Sequence, residues 1–260
     1  MITSTENKQV KNIIQLNTKA KARKKQGVFV VEGVKMFLEA PKERVEGVYV
    51  SETFMAEKDH GAMLEGYDYE VVADYVFAKM CDTLTPQGIL TLVRFPEHTV
   101  EDILKKKEHP LIVILESIQD PGNLGTIIRT GEGAGISGVI VNKETVDLYN
   151  PKTIRGTMGS IYRVPVVVSE NLSDTVKKLQ QEKVCVYAAH LKGEKDMYGM
   201  DFSKGCAFLI GNEGNGLTEE LADCADQYLR IPMEGQVESL NAGVAASLLM
   251  YETLRQRGRK

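Results

Sequence analysis

The stretch LIVILESIQDPGNLGTIIRTGEGAGISGVIVN, residues 111–142, determines the fold class of this chain. It begins with LIVILES, a continuous apolar run typical of a strand buried on both faces of a sheet. A turn follows in QDPGN, with Pro121 and Gly122 at its centre. In NLGTIIRTGEGAG, apolar residues recur with helical spacing, and GVIVN is the next predicted strand. Buried strands separated by a helix predict an α/β domain with a mostly parallel sheet.

The same stretch contains GEGAGISG, residues 131–138, in which Gly133, Gly135 and Gly138 have the dinucleotide-binding spacing G-x-G-x-x-G. That fingerprint requires a strand before the glycines and a helix after them, so that the pyrophosphate meets the helix N-terminus. Here the glycines end a helix and lead into a strand, which is the reverse order. We therefore interpret Gly133 or Gly135 as the left-handed residue that ends the helix, and we reject a nicotinamide-dependent dehydrogenase.

Further apolar strands and a final helix extend this pattern to the end of the chain. The strands are VPVVVS, VCVYAAH, CAFLIGN and QYLRIPM, and the helix is LNAGVAASLLMYETLRQR. We assign residues 111–260 to this domain. Residues 97–110 are charged, carry a plausible helix cap at Thr99, and are interpreted as a linker. Residues 1–96 alternate strands such as GVFVVEG and GILTLV with helices such as KQVKNIIQLNTKAKARKK, which predicts a small N-terminal α/β domain.

Charge is distributed unevenly along the chain. The 260 residues carry a net charge of -4, with apolar and charged fractions of 43% and 26% that are ordinary for a globular protein. Residues 1–26 nevertheless hold seven bases against the single acid Glu6, and the last six residues, RQRGRK, hold four bases. Two basic ends on an acidic chain suit a polyanion held at particular places. Charge alone favours the simpler interpretation, a solvated basic helix and a frayed tail.

Cysteine and histidine usage argues against metal and disulfide chemistry. The four cysteines, Cys81, Cys185, Cys206 and Cys224, form no C-x-x-C pair, so we interpret them as small buried side chains in a reducing compartment. The four histidines lack ligand spacing, and no metal site is expected. No apolar run approaches the length of a membrane span, and the start lacks a signal-peptide core. These features predict a cytoplasmic protein without a membrane partner.

Three stretches place glycines and polar residues directly after apolar strands. They are ESIQDPGNLGTIIRT (116–130), FLIGNEGNGLTEEL (208–221) and IPMEGQVESLNAGVAAS (231–247). Such loops at the carboxyl ends of strands are where α/β sheets bind ligands, because backbone amides can approach the ligand closely there. The polar residues they carry are Asn123, Arg129, Glu213, Ser239 and Asn241. The set lacks a histidine, a cysteine or a carboxylate pair, so by itself it does not name a reaction.

In their order and position, these stretches resemble the three signature motifs of the SpoU/TrmH family of SPOUT RNA methyltransferases. The resemblance covers the whole second domain, and KARKKQGVFVVEGVKMFLEA and TLTPQGILTLV resemble the family's N-terminal substrate-binding domain. It implies transfer of a methyl group from S-adenosyl-L-methionine (AdoMet) to a ribose 2′-hydroxyl of RNA, without a metal. It also implies a C-terminal trefoil knot and a homodimer packed partly through the last helix.

The resemblance assigns roles to eight residues. The implied catalytic set is Asn123, Arg129, Glu213, Ser239 and Asn241, and the implied cofactor-binding set is Gly211, Ile231 and Leu240. Without the resemblance, Asn241 and Ser239 would be interpreted as caps of the last helix. Glu213 would be a carboxylate that closes a turn, and Ile231 and Leu240 would be core residues.

The substrate and the role of Arg129 stay open at this point. The N-terminal domain favours 23S ribosomal RNA, because the minimal tRNA enzymes of the family lack that domain. A tRNA 2′-O-methyltransferase and a non-catalytic RNA-binding protein on the same scaffold are the alternatives. The resemblance implies that Arg129 accepts the proton of the 2′-hydroxyl. A guanidinium is always protonated and has no hydrogen-bond acceptor, so we favour a positioning and electrostatic role for Arg129. Lys152 and Arg155 fit either RNA phosphate contacts or a surface helix.

Overall fold

The computed structural model describes residues 1–237 and 239–258, which divide into two compact units. One unit comprises Met1–Glu97 together with Asp147–Tyr162, and the other comprises His98–Val146 together with Arg163–Lys260. The chain therefore leaves the first unit, returns to it for a short segment, and leaves it again. Each unit has its own sheet and its own buried core.

A four-stranded mixed sheet forms the centre of the first unit. Its elements are α1 (Lys8–Thr18), α2 (Ala20–Gln26), β1 (Val28–Glu32), α3 (Val34–Glu39), β2 (Val45–Ser51), α4 (Glu52–Ala56), α5 (His60–Met63), β3 (Tyr69–Val72), α6 (Asp74–Met80) and β4 (Ile89–Arg94). The strand order is β1-β4-β2-β3, in which β4 is antiparallel to both neighbours and β3 is parallel to β2. The predicted strands GVFVVEG and GILTLV are confirmed as β1 and β4, whereas the sequence did not indicate β3, whose four residues include two exposed ones.

The predicted N-terminal basic helix is in fact two helices, α1 and α2, separated at Lys19. Lys19 has an extended backbone, and the Arg23 guanidinium occupies the break by donating hydrogen bonds to the carbonyl oxygens of Leu16 and Asn17. Arg23 also donates from Nε to Asp147 Oδ2 at 2.9 Å, and the residue is only 3% exposed. One of the seven N-terminal bases is therefore structural, while the lysines around it are exposed.

A seven-stranded sheet forms the centre of the second unit. The remaining elements, in chain order, are α7 (Val100–Lys105), β5 (Leu111–Leu115), α8 (Pro121–Ala134), β6 (Gly138–Val141), α9 (Pro151–Thr157), β7 (Val166–Val168), α10 (Leu172–Gln181), β8 (Cys185–Ala189), β9 (Lys195–Asp196), β10 (Cys206–Ile210), α11 (Glu219–Ala222), β11 (Gln227–Arg230) and α12 (Ala242–Gln256). The strand order is β7-β6-β5-β10-β8-β11-β9, and the neighbouring strands run parallel. The predicted parallel α/β architecture is confirmed.

The stretch 111–142 folds as strand, helix and strand in the predicted order. All five residues of β5 are buried, and Asp120 caps α8 by accepting a hydrogen bond from Asn123 N at 3.0 Å. Gly135 ends α8 in the left-handed conformation, with φ 75°. Gly133 lies inside α8 and Gly138 is the first residue of β6, so the glycines run from the end of a helix into a strand, which confirms that their spacing does not form a dinucleotide-binding loop.

The segment that contains α9 packs within the first unit through aromatic side chains. Tyr149 stacks on Phe95, with ring centroids 3.9 Å apart, and also contacts Phe29 at 4.7 Å. The Tyr162 hydroxyl donates a hydrogen bond to the carbonyl oxygen of Met36 at 2.9 Å. The sequence does not indicate this return, because the residues that meet lie far apart along the chain.

Candidate active site

The three glycine-rich stretches follow the carboxyl ends of β5, β10 and β11, at one edge of the sheet. β5 and β10 are adjacent and parallel, and Leu115 pairs with Ile210 at their last residues, so the first two loops begin side by side. The third loop follows β11, which is joined to β10 through β8. This edge of the sheet is where an α/β fold binds its ligands.

Glu213 connects the second loop to the first. Its Oε1 accepts hydrogen bonds from Asn123 Nδ2 at 2.8 Å and from Asp120 N at 3.2 Å, and its Oε2 accepts from Gln119 N at 3.1 Å. Burial raises the pKa of the Glu213 carboxyl, but these hydrogen bonds outweigh it and hold the pKa below its ordinary value. The ionised Glu213 carboxylate therefore stabilises the folded state at neutral pH, and this contribution is lost as the pH falls through the lowered pKa.

Asn123 and Asn241 extend this connection to the third loop. Asn241 Nδ2 donates a hydrogen bond to Asn123 Oδ1 at 2.9 Å. Asn241 also caps α12, because its Oδ1 accepts from Gly243 N at 2.9 Å and from Val244 N at 3.2 Å. The Asn241 side chain therefore both caps α12 and contacts Asn123 in the site. Glu213, Asn123 and Asn241 form a continuous hydrogen-bond chain, which we call the motif bridge.

A cavity of about 330 Å³ lies against the second and third loops. Five of the eight predicted site residues line it: Gly211, Glu213, Ile231, Ser239 and Leu240. Ile231 and Leu240 are half-buried, so they are not core residues. The lining also includes His190, Arg230 and Met233, which sequence reasoning missed. His190 directly follows β8, and this position at a strand end was the available signal.

Arg129 stands apart from the motif bridge and the cavity. It lies on α8, is exposed, and its side chain makes no hydrogen bond or ion pair with another residue within the described part of the chain. The cavity lining defined by the described residues does not include it. Its charge is therefore available to a bound partner.

Other bases that the sequence singled out are engaged internally. Arg257 donates hydrogen bonds to the carbonyl oxygens of Phe202 and His109, at 2.9 and 2.8 Å, and Arg255 forms a two-pronged ion pair with Glu252. These two C-terminal arginines therefore stabilise the fold, and Arg259 and Lys260 lie outside the described residues. In the first unit, Arg155 on α9 forms an ion pair with the carboxylate of Asp82.

The thiols and acidic groups give no sign of a metal centre. Among residues 1–237 and 239–258, no group of three or more His, Cys, Asp or Glu side chains could hold a metal ion. Cys206 is buried, and burial raises the pKa of its thiol to about 11. Cys81, Cys185 and Cys224 are only half-buried, which corrects the prediction that all four are buried. Of the helices in the described part of the chain, none is long and apolar enough to cross a membrane.

Two family models match this chain. The SpoU rRNA Methylase family matches residues 110–251, which include all three loops. The MRM3-like substrate binding domain matches residues 7–91, which lie within the first unit.

Relatives and solved structures agree over nearly the full length. The 23S rRNA (guanosine(2553)-2′-O)-methyltransferase RlmP of Bacillus subtilis is 34% identical over 252 residues, covering 96% of this chain and 97% of its own. An AdoMet-bound rRNA methyltransferase from Sinorhizobium meliloti is 31% identical, with a TM-score of 0.85 over 98% of this chain and 97% of that chain. The SpoU methyltransferase AviRb from Streptomyces viridochromogenes, in complex with AdoMet, is 26% identical, with a TM-score of 0.87 over 97% of this chain and 98% of that chain. With its three motif loops joined beside one cavity, this chain belongs to the SpoU rRNA methylase family.

Proposed function

We propose that this protein is a cytoplasmic, AdoMet-dependent RNA methyltransferase that methylates a ribose 2′-hydroxyl of 23S ribosomal RNA. The observation that carries the proposal is the motif bridge, which joins the three family motifs next to a cavity. The family match and the reaction named for the Bacillus subtilis relative support the reaction type. The AdoMet in two similar structures supports the cofactor.

The cavity fits AdoMet in size and in chemistry. Its volume of about 330 Å³ falls within the range of small-molecule sites, roughly 300–1,000 Å³. Ile231 and Leu240 provide apolar walls for an adenine ring, and Gly211 lets the Gly216–Leu217 peptide fold closely against it, which shapes the loop beside the cofactor. When bound, AdoMet supplies a methyl group on a positively charged sulfonium, so the chemistry needs no metal.

The protein's own side chains then position the ribose and exclude water. The motif bridge holds the three loops in one arrangement, and Ser239 offers the ribose a hydroxyl at the cavity wall. Glu213 is ionised and its oxygens already accept three hydrogen bonds, so its task is to hold the first loop. Arg129 binds a phosphate beside the target ribose, and the correct placement of a reacting hydroxyl contributes much of the rate enhancement.

The first unit makes ribosomal RNA the favoured substrate. It matches a substrate-binding domain model and carries the exposed lysines of α1 and α2. The relative that covers almost all of this chain is named for a 23S rRNA position. The exposed lysines of α1 and α2 enlarge the contact surface for a structured RNA, because phosphate neutralisation supplies most of the sequence-independent affinity.

The protein also acts as a homodimer with a knotted C-terminal segment. Val244, Leu248 and Tyr251 are exposed along one face of α12, which favours a second copy of this chain as its partner. The chain segments around Gly193 and Leu229 pass close to each other, which supports the trefoil knot that the resemblance implies. A Cβ atom at Gly193, after β8, would lie 2.6 Å from the carbonyl carbon of Leu229, which is closer than real Cβ atoms approach.

The proposed function predicts selective binding of AdoMet over NAD. Titration calorimetry with each ligand should give a saturable signal for AdoMet and none for NAD, because the glycines from the end of α8 to the start of β6 do not form a dinucleotide-binding loop. RNA from a strain lacking the gene should then accept methyl groups from labelled AdoMet at a ribose 2′-hydroxyl of 23S rRNA. Tight NAD binding without an AdoMet signal would refute the proposal, and methylation of tRNA alone would change the substrate.

The lysines of α2 are expected to contact RNA phosphates. The double variant Lys24→Ala, Lys25→Ala should bind RNA more weakly and less salt-dependently, with the slope of log K against log salt reduced by about 0.7–0.9 for each lysine that contacts a phosphate. Lys177→Ala, Lys178→Ala on α10 removes the same charge and serves as the matched control. Equal loss of RNA affinity in both variants would show that only net charge matters.

A further inference from the structure

Ser117, which lies two residues after β5, has a left-handed backbone with φ 57°. A residue with a Cβ atom adopts this conformation at a cost, and it persists only where the surroundings hold it there. Such residues concentrate at functional sites. Ser117 begins the loop that ends at Asp120, the cap of α8, so the direction of its backbone sets the direction of the first motif.

Asn142, directly after β6, holds Ser117 from one side. Its Oδ1 accepts a hydrogen bond from Ser117 N at 2.9 Å, and its Nδ2 donates to Ser117 Oγ at 2.9 Å. Thr145 keeps this amide in place, because its Oγ1 donates to Asn142 Oδ1 at 2.8 Å and the residue is only 9% exposed. Both the backbone and the side chain of Ser117 are therefore fixed by one amide.

Asn212, in the second motif loop, holds Ser117 from the other side. Its Nδ2 donates to the carbonyl oxygen of Ser117 at 2.8 Å, and its Oδ1 accepts from Gly214 N at 2.9 Å and from Asn215 N at 3.1 Å. Gln119 Nε2 also donates to the Ser117 carbonyl oxygen, at 2.9 Å. Ser117 thus lies between Asn142, which follows β6, and Asn212, which lies in the loop that lines the cavity.

The conformation of Ser117 determines which groups reach Glu213. Two and three residues further on, Gln119 N and Asp120 N donate to the Glu213 carboxylate, and Asn123 Nδ2 joins them. If Ser117 relaxed to a right-handed or extended conformation, the chain would leave β5 in another direction and these donors would move away from Glu213. The motif bridge therefore depends on Ser117, which is not one of its three residues.

We propose that Asn142 is a positioning residue for methyl transfer, and that it acts by holding Ser117 in the left-handed conformation that assembles the motif bridge. The proposal rests on the proposed function, since its consequence is turnover. It names a residue outside the three motif stretches, and its action passes through backbone geometry without contact with the substrate.

A rescue experiment tests this proposal. Asn142→Ala should lower kcat for methylation of a 23S rRNA transcript about tenfold, since the cost of an unsupported left-handed residue is of that order, with little change in AdoMet affinity. Glycine adopts positive φ readily. The double variant Asn142→Ala, Ser117→Gly should therefore recover most of the lost kcat. Asn142→Asp should retain most of its turnover, because a carboxylate still accepts from Ser117 N and can accept from the Ser117 hydroxyl.

Two further readouts separate positioning from general stability and from failure of the proposed function. Hydrogen exchange at the Gln119 and Asp120 amides should accelerate in Asn142→Ala and slow again in the double variant, whatever the enzyme methylates. Protected amides in a wild-type protein that transfers no methyl group would refute the proposed function and leave the role of Asn142 in holding Ser117 intact.

Three results would overturn the positioning role. The first is wild-type kcat in Asn142→Ala, and the second is a double variant that recovers thermal stability without recovering kcat. If Asn142→Ala does not fold, Asn142→Asp and Asn142→Leu decide the matter, because only the aspartate variant can accept from Ser117 N and should keep turnover. Equal turnover in those two variants is the third overturning result.

Discussion

Arg129→Ala is expected to abolish RNA methylation while AdoMet affinity stays nearly unchanged. Arg129 is exposed on α8 and lies outside the cavity, so its removal leaves the cofactor pocket intact. Loss of one preorganised charge that acts on the transition state costs roughly 10²–10³ in kcat. Single-turnover methylation with labelled AdoMet measures the first effect, and titration calorimetry measures the second.

The lysine variant distinguishes the ways in which Arg129 could act. Arg129→Lys keeps a positive charge that can hold a phosphate but loses the two-pronged guanidinium geometry, so we expect weak activity from it and none from Arg129→Ala. Arg163→Ala, which removes an arginine paired with Glu132 in the same unit, should leave turnover unchanged. The positioning role of Arg129 fails if Arg129→Lys binds RNA and AdoMet normally yet shows no turnover at any pH.

The strands of the parallel sheet could be predicted because burial on both faces requires continuous apolar runs. LIVIL and CAFLI become β5 and β10, in which every residue is buried. Each of the three loops follows an apolar strand in the sequence, which predicted that they lie at one edge of the sheet. The structure confirms this position. Local sequence was sufficient for these features, because each depends on neighbouring residues.

Contacts between distant segments could not be predicted in the same way. The motif bridge joins Asn123 to Glu213 and Asn241, 90 and 118 residues away, and no local pattern specifies those hydrogen bonds. Arg23 looked like one of several surface bases, yet its partner Asp147 lies 124 residues further along the chain. The left-handed Ser117 was equally hidden, because serine has no preference for that conformation and only Asn142 and Asn212 impose it.

The second large effect is expected at Gly211, the last glycine before the cavity-lining loop. Gly211→Ala should raise the Kd for AdoMet by a factor of roughly 10–100, because forcing an extra carbon into a packed site costs about 1–3 kcal/mol. A Cβ atom at this position would overlap the peptide between Gly216 and Leu217. That peptide is held close by the backbone hydrogen bonds of Asn212 with Gly216, at 3.0 and 2.9 Å.

Gly214→Ala is the matched control for this loop. A Cβ atom at Gly214 would meet only Asn212 Oδ1, at 3.5 Å, which is an ordinary contact, so its AdoMet affinity should match that of the wild type. Calorimetry compares the three proteins, and thermal unfolding shows whether Gly211→Ala damages the whole unit or only the loop. In Gly211→Ala the added Cβ atom meets backbone atoms of Gly216 and Leu217, which cannot rotate away as a side chain can. Wild-type AdoMet affinity in that variant would therefore mean that the 211–217 loop does not bind the cofactor, and the cavity would lose its assigned ligand.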